Sequence, residues 1–238
     1  MKKLIIVGAT SGMGRELARL YAQSGAWVGA TGRRQQLLDS LQQEFPDQIH
    51  TACFDVTGNE NVARLESLVA TLNGMDLLII CAGIGTVSKD LDWRIDKTTM
   101  DTNVNGFTEI VNWAYNYFLQ EGGGQIANIS SIASWRGNSW APAYSASKAY
   151  QSVYFEGLHM KSMKTKAGIA ITDVQPGFVN TKMGQGNKRF WVASVEKAAK
   201  QIYQTIEARK FRVYVTRRWR LIAWVMKWVP GLIYHKAG

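Results

Sequence analysis

Residues 3–14 read K-L-I-I-V-G-A-T-S-G-M-G, a short apolar run that leads into a turn with three glycines. A helical pattern continues from this turn to about Ser24. The order of strand, glycine turn and helix is typical of a site for a dinucleotide pyrophosphate, because glycines let the backbone approach it and a helix N-terminus offers free N–H groups. The spacing is G-x-x-x-G-x-G rather than G-x-G-x-x-G, and a glycine turn without a ligand is the alternative.

A second predicted strand, Trp27 to Thr31, is followed by Gly32, Arg33 and Arg34. In an NAD-binding site this strand ends in an acid that bonds the adenosine ribose hydroxyls. That acid is absent here, and the two guanidinium groups are suited to pair with a 2′-phosphate. The pattern favours NADP(H), and two solvated arginines at the start of a helix are the alternative.

Strands and helices continue to alternate along the chain. Apolar runs predict further strands at 49–54, 76–81, 125–130, 169–175 and 211–216, and helical patterns separate them at 35–45, 60–72, 96–119, 144–164 and 194–208. The alternation predicts an α/β fold, a single Rossmann-like doubly wound parallel sheet of about seven strands with helices on both faces. We expect one domain over residues 1–238, in which residues 217–238 are a basic, aromatic C-terminal extension.

Residues with catalytic potential follow the predicted fifth strand. Tyr144 and Lys148 are four residues apart, so a helix would project both side chains from one face. The ordinary pKa of tyrosine is about 10, and a nearby ammonium lowers it toward the range of general acid catalysis. Ser131 can supply a hydroxyl that orients a carbonyl oxygen. A chance Tyr and Lys pair on an exposed helix is the alternative.

The composition is that of a globular protein, with 46% hydrophobic and 19% charged residues. Its length of 238 residues is compatible with a single α/β domain. Cys53 and Cys81 both lie in apolar, strand-like runs, which predicts buried, reduced thiols in a cytoplasmic protein. The three histidines are scattered, and no Cys and His cluster has the spacing of metal ligands, so we expect no metal.

In their order and spacing these motifs resemble the compact short-chain dehydrogenase/reductase family over residues 1–216. Each motif is weak alone, but the series is specific. The matching motifs are Gly8/Gly12/Gly14, Asp55-Val56, Cys81-Ala82-Gly83, Asn103-Val104-Asn105-Gly106, Ser131, Tyr144-x-x-x-Lys148, and Pro176-Gly177 with Thr181.

The resemblance implies an oxidoreductase with a catalytic tetrad of Asn103, Ser131, Tyr144 and Lys148. Tyr144 would protonate the carbonyl oxygen as hydride arrives from the nicotinamide, and Ser131 would hold that oxygen. Lys148 would bond the nicotinamide ribose while lowering the pKa of Tyr144, and Asn103 would hold a water that links Lys148 to solvent.

The resemblance also implies that NADP(H) is held along the carboxyl ends of the strands. The implied contacts are Gly8, Thr10, Ser11, Gly12, Met13, Gly14, Arg33, Arg34, Asp55, Val56, Cys81, Ala82, Gly83, Tyr144, Lys148, Pro176, Gly177, Val179 and Thr181. Two departures from the family pattern, Val7 for Thr and Ile80-Cys81 for two asparagines, affect local hydrogen bonding rather than chemistry. The complete tetrad argues against a non-catalytic NADPH-binding sensor or scaffold, the alternative of another class.

The substrate is expected over residues 132–143 and 178–195, which follow the fifth and sixth strands. These stretches contain five aromatic residues, Trp135, Trp140, Phe178, Phe190 and Trp191. An aromatic-lined pocket suits a bulky, apolar ketone, aldehyde or alcohol as the small-molecule partner. The alternative is that some of these rings pack only against the fold.

The net charge of +10 is concentrated in the last quarter of the chain. Residues 182–238 contain 13 Lys and Arg against 2 Asp and Glu, whereas residues 1–181 contain 15 against 16. A nucleic-acid-binding domain is more often basic over its main surface, so nucleic acid is disfavoured as a partner.

Residues 217–234 predict a basic, tryptophan-rich amphipathic helix whose longest uncharged apolar run is too short to span a bilayer. Such a helix can lie on an anionic membrane, which would make the protein peripheral at the inner membrane surface and a reductase of fatty-acyl or other lipid carbonyls. Alternatively, it covers the substrate pocket or forms a subunit contact. The family resemblance implies a homodimer or homotetramer, with segments 107–119 and 150–158 as plausible contacts.

Overall fold

A computed structural model describes residues 1–181 and 190–237 of the chain. Within these residues, a parallel sheet has the strand order β3-β2-β1-β4-β5-β6-β7. Its strands are β1 (Lys3–Val7), β2 (Trp27–Gly32), β3 (Ile49–Cys53), β4 (Leu77–Ile80), β5 (Gly124–Ile129), β6 (Ile169–Pro176) and β7 (Arg212–Val215). The predicted Rossmann-like doubly wound sheet is confirmed, and the strand bounds differ from the predictions by two residues at most.

Helices connect the strands on both faces of the sheet. They are α1 (Gly12–Gln23), α2 (Gln35–Glu44), α3 (Asn61–Leu72), α4 (Trp93–Met100), α5 (Phe107–Gln120), α6 (Pro142–Thr165), α7 (Val195–Glu207), α8 (Trp219–Trp228) and α9 (Gly231–Ala237). A π-helical turn, Asp101–Gly106, joins α4 to α5, and a 3₁₀ turn, Ile132–Trp135, follows β5. The single helix predicted over 96–119 is therefore two helices with a widened turn between them.

The strands read as continuous apolar runs because both faces of a parallel sheet are covered. In β1, Leu4 and Ile6 belong to one buried core and Ile5 belongs to the other. Residues of α1, α2 and α7 complete the first core, and residues of α3, α5 and α6 complete the second. This packing fixes the alternate side chains of each strand and leaves the loops at the carboxyl ends to build a site.

The order of the strands reverses between β1 and β4, the point at which doubly wound sheets bind their ligands. Gly8 follows β1 with a φ of +94°, and a Cβ atom there would lie 2.5 Å from the backbone nitrogen of Ala82. A Cβ at Gly14 would lie 2.2 Å from the carbonyl oxygen of Gly8. Only glycine therefore lets the loop after β1 lie between α1 and the loop after β4.

The C-terminal extension forms two helices, α8 and α9, where the sequence predicted one over 217–234. Val229 ends α8 in an extended conformation, with φ −62° and ψ 124°, directly before Pro230. Proline has no N–H to continue the helix, and it disfavours a helical conformation in the residue before it. Among the described helices, none has the length and apolar character needed to cross a membrane.

Candidate active site

Three elements bring the predicted tetrad together. Ser131 follows β5, Tyr144 and Lys148 lie on α6, and Asn103 lies in the π-helical turn. Pro142 is at the start of α6, a position that suits its fixed φ and its missing N–H. The helix therefore begins just before Tyr144, and Lys148 follows one turn later.

Lys148 is buried, and its ammonium is held by two acceptors. Its Nζ donates to the carbonyl oxygen of Ile129 at 3.1 Å and to Oε1 of Gln151 at 2.9 Å. Burial lowers the pKa of Lys148 to about 8, and the negative charge of Asp173 opposes that shift. The charged form of this side chain is therefore sensitive to the groups around it.

The ring of Tyr144 lies against the loop after β4, where a Cβ at Gly85 would be 2.8 Å from the Cδ2 atom of the ring. Burial raises the pKa of Tyr144 above its ordinary value, and a hydrogen bond with Ser131 opposes this by lowering it. The predicted direction of the Tyr144 pKa shift is wrong for this structure, because desolvation of the phenolate outweighs the stabilising interactions. Tyr144 is consequently protonated at neutral pH.

Asn103 is fully buried and braces the loop after β4. Its Oδ1 accepts from the N–H of Ile84 at 2.9 Å, and its Nδ2 donates to the carbonyl of Ile84 at 2.8 Å and to Oγ of Ser147 at 3.0 Å. Its backbone carbonyl accepts from Nε2 of Gln151 at 2.9 Å, and the same Gln151 accepts from Lys148. Gln151 therefore connects Asn103 to Lys148, and the water that the family resemblance places between Lys148 and solvent stays a prediction.

Behind these residues lies a polar network, centred on Asp173 of β6, that was not predicted from the sequence. Asp173 is fully buried and accepts from Oγ of Ser130 at 2.5 Å, from Oγ of Ser152 at 2.8 Å and from Nε2 of Gln175 at 2.9 Å. Nε of Arg212 lies 3.6 Å from its Oδ2. A charged residue inside the strand I-A-I-T-D-V-Q-P is the signal that could have revealed the network, because a buried charge requires partners.

The network reaches the segment that follows Ser131. Trp135 donates from Nε1 to Oε1 of Gln175 at 2.8 Å. At its other end, Arg212 donates to Oε2 of Glu156 at 3.1 Å near the surface. The segment after Ser131 is therefore joined to β6 by a polar contact, and β5 and β6 are joined to each other by backbone pairing.

The loop after β1 and the start of α1 form a polar cradle. Arg34 donates to Oγ1 of Thr10 at 2.5 Å and to Oγ of Ser11 at 2.8 Å. Ser11 is the N-cap of α1, but its side chain does not cap the helix, and the first turn of α1 carries no acid. A Cβ at Gly12 would lie 3.4 Å from Cγ2 of Thr181, so the loop after β6 closes the cradle. This arrangement suits an anion at the helix N-terminus.

The two arginines after β2 have different partners. Arg33 is exposed and forms an ion pair with Asp55, with 3.3 Å between Nη1 and Oδ2. Arg34 contacts only hydroxyl groups in the hydrogen bonds above, so no carboxylate among the described residues neutralises it. The other residues predicted to contact the cofactor lie at or after the carboxyl ends of the strands or at the adjoining start of α1: Met13, Val56, Cys81, Ala82, Gly83, Pro176, Gly177 and Val179.

Three of the five aromatic residues predicted to line a substrate pocket surround the buried Trp219 of α8. The ring centroids of Phe178, Phe190 and Trp191 lie 5.3 Å, 5.1 Å and 6.0 Å from that of Trp219. These three side chains nevertheless remain 36%, 50% and 40% exposed. They pack on the fold with one part of each ring and leave the other part free to contact a ligand. Residues 182–189 of the predicted stretch lie outside the described residues.

The other two predicted pocket residues lie apart from this aromatic cluster. Trp140 is 53% exposed and lies beneath the ammonium of Lys89, 4.7 Å from the ring centroid. Trp135 is half-buried, with its indole N–H in the network of Asp173. The free thiols Cys53 and Cys81 are half-buried, and burial raises the pKa of Cys81 to about 12. Among the described residues, no three His, Cys, Asp or Glu side chains are grouped to hold a metal.

A family model described as short chain dehydrogenase matches residues 2–214. An uncharacterized oxidoreductase of Myxococcus xanthus (strain DK1622) is 33% identical over 189 residues, which cover 77% of this chain and 74% of that protein.

Solved structures with the same fold include a short chain dehydrogenase from Bacillus anthracis, with a TM-score of 0.81, 22% identity and coverage of 91% of this chain and 95% of that one. A gluconate 5-dehydrogenase from Burkholderia cenocepacia in complex with NADP and tartrate has a TM-score of 0.79 and 19% identity, and the match covers 91% and 94% of the two chains.

Proposed function

Because the chain belongs to the short-chain dehydrogenase family of oxidoreductases, we propose that it transfers hydride between NADP(H) and a carbonyl/alcohol pair on a bulky, apolar small molecule. The observation that carries this proposal is the convergence of Ser131, Tyr144 and Lys148 beside the glycine cradle, with Asn103 bracing the loop between them.

The cradle fits a nicotinamide dinucleotide. The N–H groups at the start of α1, together with Gly8 and Gly12, would hold the pyrophosphate, since the helix end is positive and lacks a side-chain cap. Arg34 and Ser11 would hold the 2′-phosphate. When bound, the nicotinamide supplies or accepts a hydride at its C4 atom.

Preference for NADP(H) is supported by the unequal surroundings of the two arginines. Arg34 is anchored by Thr10 and Ser11, which leave its full positive charge available to a phosphate. Arg33 is already paired with Asp55 and would contribute less. A guanidinium pairs well with a phosphate because its planar donors match the oxygen atoms. The complex of the gluconate 5-dehydrogenase with NADP gives further support.

The catalytic roles follow from the protonation states. Burial keeps the phenol of Tyr144 protonated at neutral pH, so in the reductive direction it can donate its proton to the carbonyl oxygen. Ser131 would donate a hydrogen bond to the same oxygen. The ammonium of Lys148, one helical turn from Tyr144, would stabilise the phenolate that remains, since an opposite charge nearby favours the ionised form.

The substrate class is supported by the exposed parts of Phe178, Phe190 and Trp191, which follow β6 beside the site. Aromatic surface of this kind favours ligands with a large apolar area. A homodimer or homotetramer in the cytoplasm completes the proposal; the free thiols of Cys53 and Cys81 support that location.

The test follows the consumption of NADPH and of NADH by the full chain with a panel of carbonyl compounds. The panel pairs each bulky, apolar ketone or aldehyde with a short, polar one. We expect turnover with NADPH and the bulky members. Binding of NADPH without turnover of any compound would favour a sensor or scaffold, and faster turnover with NADH would contradict the cofactor preference.

A further inference from the structure

The C-terminal helices α8 and α9 expose an apolar surface that the oxidoreductase site does not use. The tail surface, as we call it, consists of Leu221, Trp224, Val225, Trp228, Leu232 and Ile233. Trp224 and Trp228 are 64% and 67% exposed, although tryptophan is highly buried on average. α8 buries Trp219 and Ala223 against the protein, and at about 100° per residue the exposed tryptophans lie on the opposite side of the helix. This helix therefore has two apolar faces, of which only one is covered within the chain.

The tail surface is held in a fixed position. Arg136 donates from Nε to the carbonyl of Met226 at 2.8 Å and from Nη2 to the carbonyl of Val229, so it satisfies free carbonyls at the end of α8. The hydroxyl of Tyr234 donates to the carbonyl of Gly137 at 2.8 Å, which ties α9 to the same segment. The two helices present a preformed surface, so contact with a partner requires little ordering of the chain.

Positive charge surrounds the tail surface. Arg217, Arg218, Arg220 and Lys227 are exposed, and within the described part of the chain none of them forms an ion pair with a carboxylate. Residues 217–238 contain no Asp or Glu at all. Arg217 and Arg220 also line, with Lys210 and Arg212, a cleft of about 550 Å³ beside β7. Apolar and cationic groups thus occur together at one end of the protein.

We propose that the tail surface docks on an anionic lipid bilayer. Tryptophan favours the boundary between headgroups and acyl chains, and nearby arginine and lysine residues are attracted to anionic headgroups. Neither helix can span the membrane, so the contact is interfacial. The cleft beside β7 places several cations where a headgroup phosphate can reach them.

A second copy of the chain fits the tail surface less well. A two-fold contact would place this surface against itself, and the four flanking cations would then meet the same four cations of the partner. Like charges without intervening carboxylates repel one another at such an interface. An anionic lipid surface supplies the opposite charge over the whole area.

The test measures sedimentation of the full chain with phosphatidylcholine vesicles, with and without phosphatidylglycerol. We expect binding to the anionic vesicles that weakens as salt rises, and little binding to the neutral ones. The double variant Trp224→Glu/Trp228→Glu should lose this binding. The matched control, Trp93→Glu, changes a tryptophan that is 70% exposed on α4, outside the tail surface, and should bind like the wild type.

A second pair of variants tests the charges without changing the apolar surface. Arg217→Ala/Arg220→Ala should reduce the partition onto anionic vesicles about 30-fold, whereas Arg64→Ala/Arg94→Ala should leave it unchanged. The proposal would be overturned if the Trp224→Glu/Trp228→Glu variant and the Trp93→Glu control bound anionic vesicles equally well. Equal binding of the wild type to anionic and neutral vesicles would also overturn it. The proposal would also be overturned if the wild type did not bind vesicles and light scattering showed that the Trp224→Glu/Trp228→Glu variant forms a smaller oligomer than the wild type. The tail surface would then be a subunit interface. The measurement does not involve turnover, so it is independent of the proposed reaction.

Discussion

Lys148 and the pair Arg33 and Arg34 all bring positive charge to the carboxyl edge of the sheet, but their surroundings differ. The ammonium of Lys148 is buried and fixed by Ile129 and Gln151, whereas both arginines are exposed. A buried charge interacts strongly with its neighbours, and water and salt screen an exposed one. The proposed chemistry therefore depends on a small buried region, whereas the proposed preference for NADP(H) depends on a few surface contacts.

Burying the lysine has a cost that the arginines do not share. The pKa of Lys148 is lowered to about 8 because the charged form is desolvated, so the fold holds a group that disfavours the folded state at neutral pH. Catalytic groups are often retained at the expense of stability. The contrast between the buried and the exposed cations can be tested at four points.

The largest effect is expected at the phenol beside the buried lysine. Tyr144→Phe removes the proton that the site would donate, so kcat/KM for carbonyl reduction should fall about 10²–10⁴-fold. Steady-state kinetics with NADPH and an active ketone measures this change, and a titration of NADPH binding serves as the control. Activity within a factor of a few of the wild type would remove Tyr144 from the reaction.

The second prediction concerns the pH dependence of stability. The folded pKa of Lys148, about 8, lies below the ordinary value of 10.5, so the unfolded chain binds more protons between these two values. The contribution of Lys148 to the free energy of unfolding is therefore present in full only above pH 10.5, and it is lost as the pH falls through 8. Lys148→Met lacks this dependence, so any stability advantage it has over the wild type should shrink by about 2 kcal/mol between about pH 7 and about pH 9.5.

Denaturant unfolding of both proteins at the two pH values measures this difference, in which groups shared by the two proteins cancel. A gap that stays constant with pH would mean that the lysine is not desolvated as the structure indicates.

The third prediction extends the buried region to Asp173. Asp173→Asn leaves one acceptor oxygen but turns an NH₂ group toward donors such as Gln175, so the free energy of unfolding should fall by about 1–3 kcal/mol. Asp90→Asn, at an exposed carboxylate, should change it by no more than about 0.5 kcal/mol. Chemical denaturation measures both variants, and equal effects would show that burial of the Asp173 network adds nothing to stability.

The smallest effects are expected at the exposed arginines, and they should be unequal. Arg34→Ala should weaken NADPH binding about tenfold or more, because it removes a hydrogen bond to a charged group. Arg33→Ala should weaken it less than about fivefold, because its partner Asp55 already neutralises it at the surface.

Fluorescence titration with NADPH measures both variants, and NADH, which lacks the 2′-phosphate, is the control ligand. A larger loss of NADPH affinity in Arg33→Ala than in Arg34→Ala would place the 2′-phosphate on the Asp55 side of the cradle. Identical affinities for the two cofactors in every variant would exclude a phosphate contact at either residue.

Much of the fold was predictable because its signals are local. Apolar runs such as Leu4 to Val7 alternate with helical patterns, and this order alone specifies a doubly wound sheet. The chemistry-bearing residues follow strand ends, and parallel strands bring their carboxyl ends to one edge. The meeting of Ser131 with Tyr144 was therefore predictable without coordinates.

Pro230 is a sequence signal for the end of α8, but the amphipathic pattern over 217–234 predicted a single helix across it. The pattern continues on both sides of the proline and therefore suggests one helix. Proline has no N–H for the interior of a helix, so the chain forms two helices instead. A local rule about proline here outweighs the periodicity of the side chains.

The order of the elements, the glycine cradle and the identity of the residues around Tyr144 can be read from the amino-acid sequence, because these features depend on neighbours along the chain. The three-dimensional packing was needed to establish the direction of the Tyr144 pKa shift, the link through Gln151 and the network of Asp173. The same packing establishes which side of α8 faces the protein. Desolvation and hydrogen bonding depend on atoms from distant segments, and spacing along one chain does not reveal how closely they pack.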